Sequence, residues 1–177
     1  MKKKDRTQSG AQAANVGIAN EHISLGILMH RYNASKVDLP LSKYDIIISK
    51  KDDKNFIRIQ SKTATRGIGF IGNIRAGKAI RGGSDPKQAF RYNTKHCDIL
   101  MGVKTKFDNA ELKTVDLYFL PTILVEKIIN KSGISIGCLE GFKNNWNILE
   151  NYADENYLMK EVKKMTVEKK IKLNLKS

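Results

Sequence analysis

Acidic residues are scarce in this 177-residue chain, 18 Asp+Glu against 32 Lys+Arg, and the deficit leaves a formal charge of +14. Cysteine and histidine are scarcer still, at two and three residues. Cys97 and Cys138 form no CxxC and have no histidine cluster beside them, so neither a disulfide framework nor a zinc site is implied. They read as thiols kept reduced in the cytoplasm. No run approaches the roughly 18–20 apolar residues of a membrane span. The opening Met1-Lys2-Lys3-Lys4-Asp5-Arg6 leads into polar residues and not into an apolar signal core. The expectation is a soluble, unsecreted, cytoplasmic protein with no membrane partner. Internal repeats and linkers are also lacking. With 41% hydrophobic residues there is enough apolar material for a core, and disorder throughout is excluded. At about 100–200 residues per domain, residues 1–177 are expected to form one domain.

The positive charge is not spread evenly. Residues 54–95 hold ten Lys/Arg against the single acid Asp85, a local charge of +9, and the lysine-rich tail 160–177 adds +5. Residues 96–159 are net acidic at −3. A basic excess concentrated in one central segment is the footprint of a surface that neutralises phosphates, and DNA is the expected partner. A passive basic surface, or attraction to acidic lipid, is the competing reading. The terminal lysines decide nothing alone, because a terminal charge run is usually a solvated face.

Apolar spacing predicts a helix from Ser9 to about His30, with Ala14, Ile18, Leu25 and Leu28 on one face. Glu21 falls on that face, where an ordinary amphipathic helix would carry an apolar residue. A short strand is expected at 37–39, closed by Pro40. Residues 44–48 and 56–62 then form a hairpin across the polar turn 50–55. If Ser49 faces Phe56, partner numbers sum to 105 and Asp45 lies opposite Gln60. Alternation places Arg58, Gln60 and Lys62 on one face of the second strand. Ser84-Asp85-Pro86 reads as the start of a helix running to about Thr94. Strands follow at 97–103, 115–120 and 134–136, with helices at 122–130 and 145–165. This order points to a mixed α/β or α+β domain.

Two glycine motifs match familiar patterns without their context. Gly67-Ile68-Gly69-Phe70-Ile71-Gly72 has the letters of a dinucleotide fingerprint, but no convincing helix follows and no acid lies about twenty residues on. The stretch 72–79 resembles a phosphate-binding loop, but Ala79 stands where a Ser/Thr would bind Mg²⁺ and Gly82-Gly83 would break the required helix. The glycines fit better as a loop bringing backbone and arginines close to a polyanion.

What remains is Glu21 on a helix, Asp45 opening a hairpin, and Gln60-Ser61-Lys62 on its second strand. Phosphodiester hydrolysis uses such a set. Oxygen ligands hold one or two Mg²⁺ ions, and a lysine orients the attacking water or stabilises developing charge. The pattern resembles the PD-(D/E)xK nuclease superfamily: a helix Glu, an Asp at the start of a hairpin, then (D/E)-x-K on the next strand. Here the element reads Asp-x14-Gln-x-Lys, with Gln60 in place of the middle acid. An amide oxygen still ligates Mg²⁺ but brings no charge. The chain is similar in this respect to the group I intron-associated PD-(D/E)xK homing endonucleases, where a Gln-x-Lys occurs. Arg91-Tyr92, the stretch 97–103 containing Asp98, and the strand 117–121 ending in Pro121 are similar to that branch further along.

The resemblance covers residues 11–130. It implies a restriction-endonuclease-like core, a central mixed sheet flanked by helices, with catalytic residues Glu21, Asp45, Gln60 and Lys62. Glu21, Asp45 and Gln60 would be ligands of Mg²⁺, with Mn²⁺ as a substitute. Arg58, Arg66, Arg75, Lys78, Arg81, Lys87 and Arg91 are the expected DNA contacts, phosphate contacts being commoner than base contacts. The implied activity is cleavage of duplex or branched DNA by a homodimer or homotetramer, of homing, restriction or junction-resolving type. The alternative is a catalytically weak or inactive DNA-binding protein on the same fold. Each residue also has a plainer role open to it. Asp45 could cap a turn, Lys62 could belong to the basic strip, Gln60 could be a solvated strand residue, and a salt bridge would satisfy Glu21. Asp98, flanked by apolar residues, reads as structural, and His22 and His96 as surface histidines.

Overall fold

Three consecutive isoleucines, Ile46-Ile47-Ile48, and the alternating Ile57-Arg58-Ile59 form the middle of the molecule, because β-branched side chains suit a pleated surface. The computed structural model describes residues 6–39, 42–50, 55–72 and 89–176. Strands β2 (Ile46–Ser49) and β3 (Ile57–Thr63) pair antiparallel with Ile46 opposite Ile59 and Ile48 opposite Ile57, the register expected for the hairpin. On the outer side of β2 lies β1 (Asn33–Lys36). On the other side β3 pairs in parallel with β7 (Ile99–Asp108), which turns back into antiparallel β8 (Glu111–Pro121). The five-stranded order β1-β2-β3-β7-β8 is a mixed sheet, and with helices on both faces it is the mixed α/β architecture expected.

Period-two alternation sorts the sheet's side chains into two cores. Ile46, Ile48, Ile57, Ile59, Ile99, Met101, Val103, Leu117 and Phe119 meet Leu28 of the long first helix α1 (Arg6–Met29). Leu100, Tyr118 and Leu120 face the opposite way, toward α2 (Thr122–Lys127) and α4 (Glu155–Val167), represented there by Leu124, Leu158 and Val162. Gly102 lies in that second layer because a Cβ there would come within 2.7 Å of the Ile68 side chain.

Several expected elements take a different form. Ala14 and Ile18 are exposed, although they share a helical face with the buried Leu28. Asn20 already reaches Thr63, the last residue of β3, so the helix N-terminal to it runs past the end of that strand. The first edge strand is Asn33–Lys36 rather than 37–39; only Val37 N–H extends the ladder, to the Asp45 carbonyl at 2.8 Å. The described end of the helix expected at 84–94 is strand β6 (Phe90–Arg91), paired with β5 (Ile71–Gly72). Gly72 permits this, since a Cβ there would stand 2.4 Å from the Phe90 ring. The helix expected over 145–165 is two, α3 (Trp146–Glu150) and α4, because Asp154 starts a new one by accepting the Tyr157 N–H at 2.9 Å. No described helix is long and apolar enough to cross a membrane.

The glycine fingerprint has a packing explanation. Strand β4 (Gly67–Gly69) pairs with β9 (Gly133–Ser135) so tightly that a Cβ at Gly67 would lie 2.5 Å from the Ile134 carbonyl oxygen. No helix follows it among the described residues. Residues 73–79 of the second glycine motif lie outside them.

Candidate active site

Asp45 is pinned through its backbone between two strands. Its N–H donates to the Ile59 carbonyl at 2.9 Å, and its own carbonyl accepts from Val37. The hairpin register then sets it beside Gln60, as the sum of 105 requires. Its carboxylate oxygen Oδ2 accepts the Ser61 N–H at 2.9 Å and also the Gln60 side-chain amide. Gln60 is 8% exposed, and the same amide nitrogen reaches the Ser61 carbonyl at 3.1 Å. Burial, reinforced by the negative charge of Glu21, pushes the Asp45 carboxyl up to about 6; the Ser61 N–H and the charges of Lys62 and Lys36 oppose that rise.

Lys62 follows two residues along β3 on the same face as Gln60. Burial is the main influence on its ammonium and lowers its proton affinity, against the pull of Asp45 and Glu21. Its Nζ donates to the Tyr92 hydroxyl at 3.2 Å. Tyr92, 4% exposed, is held by Phe90 and His96 rings at centroid distances of 5.0 and 6.2 Å. Cys97 is buried nearby, and desolvation pushes its thiol up to about 11, leaving it unreactive at neutral pH.

Glu21 arrives from α1, and the preceding residue fixes the helix to the sheet. Asn20, 2% exposed, donates to the Thr63 hydroxyl at 3.1 Å and accepts from the Thr105 hydroxyl at 3.1 Å. These two hydrogen bonds, to Thr63 at the end of β3 and to Thr105 within β7, set the depth and rotation of α1. Glu21 itself pairs with Lys36 at 3.8 Å. The four predicted catalytic residues therefore converge at one end of the sheet, with Asp45 feeling the charge of both Glu21 and Lys62. Lys36, Asn20 and Tyr92 complete the site. Lys36 and Asn20 carry no local signal of it; Tyr92 entered only through the resemblance.

The basic segment divides sharply. Arg58 is locked in a fork, with Nε and Nη2 on the two Asp98 oxygens at 3.1 and 2.7 Å, and further bonds to the Lys95 and Thr94 carbonyls. Arg91 donates to the carbonyls of Val125, Ile128 and Lys131, tying the end of α2 to β6. Both guanidiniums, expected on DNA, are bonded to carboxylate and carbonyl oxygens of this fold, because a planar fork with several donors finds partners that a sequence does not reveal. Arg66 is exposed. Arg75, Lys78, Arg81 and Lys87 lie outside the described residues.

Among the described residues no three His, Cys, Asp or Glu side chains group as a metal site. The donors present are two carboxylates and one amide, oxygen ligands of the kind that hard divalent cations take. A carboxyl raised to about 6 by burial and a neighbouring carboxylate is also one that a cation would return to its charged form.

No protein-family model matches the chain, and no curated protein matches it. Among solved structures, that of a bacterial homing endonuclease, I-Ssp6803I, aligns over 86% of this chain and 99% of its own, at 14% identity and a TM-score of 0.45. A likeness at that level bears on neither chemistry nor substrate.

Proposed function

We propose that the chain is a metal-dependent DNA endonuclease that hydrolyses phosphodiester bonds at the Asp45 site. The observation that carries this reading is the convergence of Glu21, Asp45, Gln60 and Lys62 at one sheet end, with the Asp45 carboxyl raised to about 6. Asp45, Glu21 and Gln60 would hold Mg²⁺ or Mn²⁺, which supplies phosphate neutralisation and a more acidic attacking water. Lys62 stands within the field of Asp45 and places a cation where charge develops on the reacting phosphate. Ser61 N–H and the Gln60 amide keep Asp45 in one orientation. Cleavage of both strands of a duplex would call for two such sites in a homodimer or homotetramer.

A second reading, a DNA-binding protein with weak or no hydrolysis, draws on Gln60. A neutral amide in place of a carboxylate lowers the charge available to a cation, and here its nitrogen is directed at Asp45. One experiment separates the two. The purified protein is incubated with supercoiled plasmid, linear duplex and a four-way junction, in Mg²⁺ and in EDTA. Cutting only with metal supports the nuclease, and the preferred substrate sorts homing, restriction and junction-resolving types. Gel shifts of all three DNAs without any cutting favour the binding protein.

A further inference from the structure

Lys62 is the one cation that the described site turns toward its carboxylates from β3, and its ammonium has a second partner. A lysine carries its charge on four rotatable bonds, so in a desolvated site beside Asp45 and Glu21 an unrestrained ammonium would collapse onto a carboxylate. That collapse would neutralise an oxygen needed elsewhere. Tyr92 provides an acceptor of a different kind, its hydroxyl 3.2 Å from Nζ, with Nζ 4.8 Å from the ring centroid. The phenol is well placed for the task. Its ring is buried, stacked edge-on against Phe90 at 72° and against His96 at 89°, and its backbone N–H is tied to the Phe70 carbonyl at 2.8 Å. Burial also pushes its own ionisation far up, so it stays a neutral phenol.

We propose that Tyr92 is the positioning residue of Lys62: its hydroxyl holds the ammonium in the working location between the phenol and the carboxylates of Asp45 and Glu21. The inference rests on the nuclease reading for its catalytic consequence, and on the Lys62–Tyr92 contact alone for its physical part. The rigid ring transmits the placement of β6 and its neighbours to the catalytic lysine. Since Phe90 precedes it by two residues and packs over Gly72, strand β5 also helps to set where the cation stands.

The test is Tyr92→Phe, which keeps the ring and its packing and removes only the acceptor, compared with wild type and Lys62→Ala in the full chain. The first readout is the ¹⁵Nζ–¹H correlation of Lys62 in metal-free protein, assigned by its loss in Lys62→Ala. The second is the cleavage rate of plasmid at saturating protein in Mg²⁺, with DNA affinity and Tm measured alongside. The expected result is a Lys62 signal that shifts or broadens away in Tyr92→Phe, and a rate about tenfold lower, the cost of one hydrogen bond to a charged group. Affinity stays within about twofold of wild type, as for a bond that positions a group without contacting DNA. An unchanged Lys62 signal together with an unchanged rate overturns the proposal while the nuclease reading stands. A loss confined to DNA affinity overturns it too. Wild type that cuts no DNA in Mg²⁺ removes the nuclease reading and the catalytic consequence with it, and the Lys62 signal then decides the contact on its own.

Discussion

Arg58 and Lys62 stand on the same face of the same strand, four residues apart, and as sequence they are two members of one basic strip. In the fold they have opposite fates. Arg58 has four bonds to Asp98 and the Thr94 and Lys95 carbonyls, so its charge is answered within the protein. Among the described residues Lys62 has a single hydrogen bond, to an uncharged phenol, and lies in the field of two carboxylates it does not bond. A cation that is saturated holds a fold together, whereas one that is buried and only partly answered is available for chemistry. Counting positive charges cannot make that distinction; the partners do.

Lys62→Ala makes the largest difference on the functional side of this comparison. Cleavage should fall by about 10²–10³-fold, the usual cost of losing one stabiliser of developing charge, while the midpoint of thermal melting stays close to wild type. Asp98→Ala is the counterpart on the structural side. It leaves the Arg58 guanidinium half-buried without its carboxylate, and denaturant unfolding should show a loss of about 2–4 kcal/mol. Activity at a temperature where the variant is folded should be largely retained. If Asp98→Ala abolished cleavage without destabilising, the division between the two cations would be broken.

Asp45→Asn sharpens the same contrast through pH. The folded carboxyl has its pKa raised to about 6 from an ordinary 3.8, so between those values the folded state holds more protons than the unfolded one. The contribution of Asp45 to stability therefore falls as pH rises through that window, by up to about 3 kcal/mol, and is fully present only below it. Asp45→Asn should remove this slope and be more stable than wild type at pH 7, by about 1–3 kcal/mol, while losing cleavage. Urea unfolding of both proteins at pH 4, 5, 6 and 7 checks it; a stability difference between wild type and Asp45→Asn that stays constant across that range would refute the assignment. The smallest effect belongs to Arg66→Ala. An exposed side chain should change stability by less than about 0.5 kcal/mol, yet lower the slope of log affinity against log salt by about 1 if it contacts a phosphate.

Much of this arrangement was legible in the chain because it is local. The 44–62 hairpin is constrained by two apolar runs and one short turn, so its register, and with it the meeting of Asp45 and Gln60, followed from addition. The anomaly of Glu21 on an apolar helical face was likewise local. What could not be read depends on distant partners. Lys36 and Asn20 reach the site only because β1 and α1 flank it, and Arg58 and Arg91 reveal their structural roles only once Asp98 and the α2 carbonyls are in place. The strand at Phe90–Arg91 was hidden by a convincing helix-start signal at Ser84-Asp85-Pro86, since pairing with Ile71–Gly72 is non-local. The break before α4 was different: Asp154 is a capping residue and Glu155 an acid in the first turn, a local signal that the apolar spacing across 145–165 outweighed.

The most direct measurement compares the rate of plasmid nicking in Mg²⁺ by wild type and Lys62→Ala, each at a protein concentration that saturates the DNA. The account predicts metal-dependent nicking by wild type, a loss of about 10²–10³-fold in the variant, and DNA affinities that differ by far less. Equal nicking by the two proteins, or nicking that survives EDTA, would contradict it.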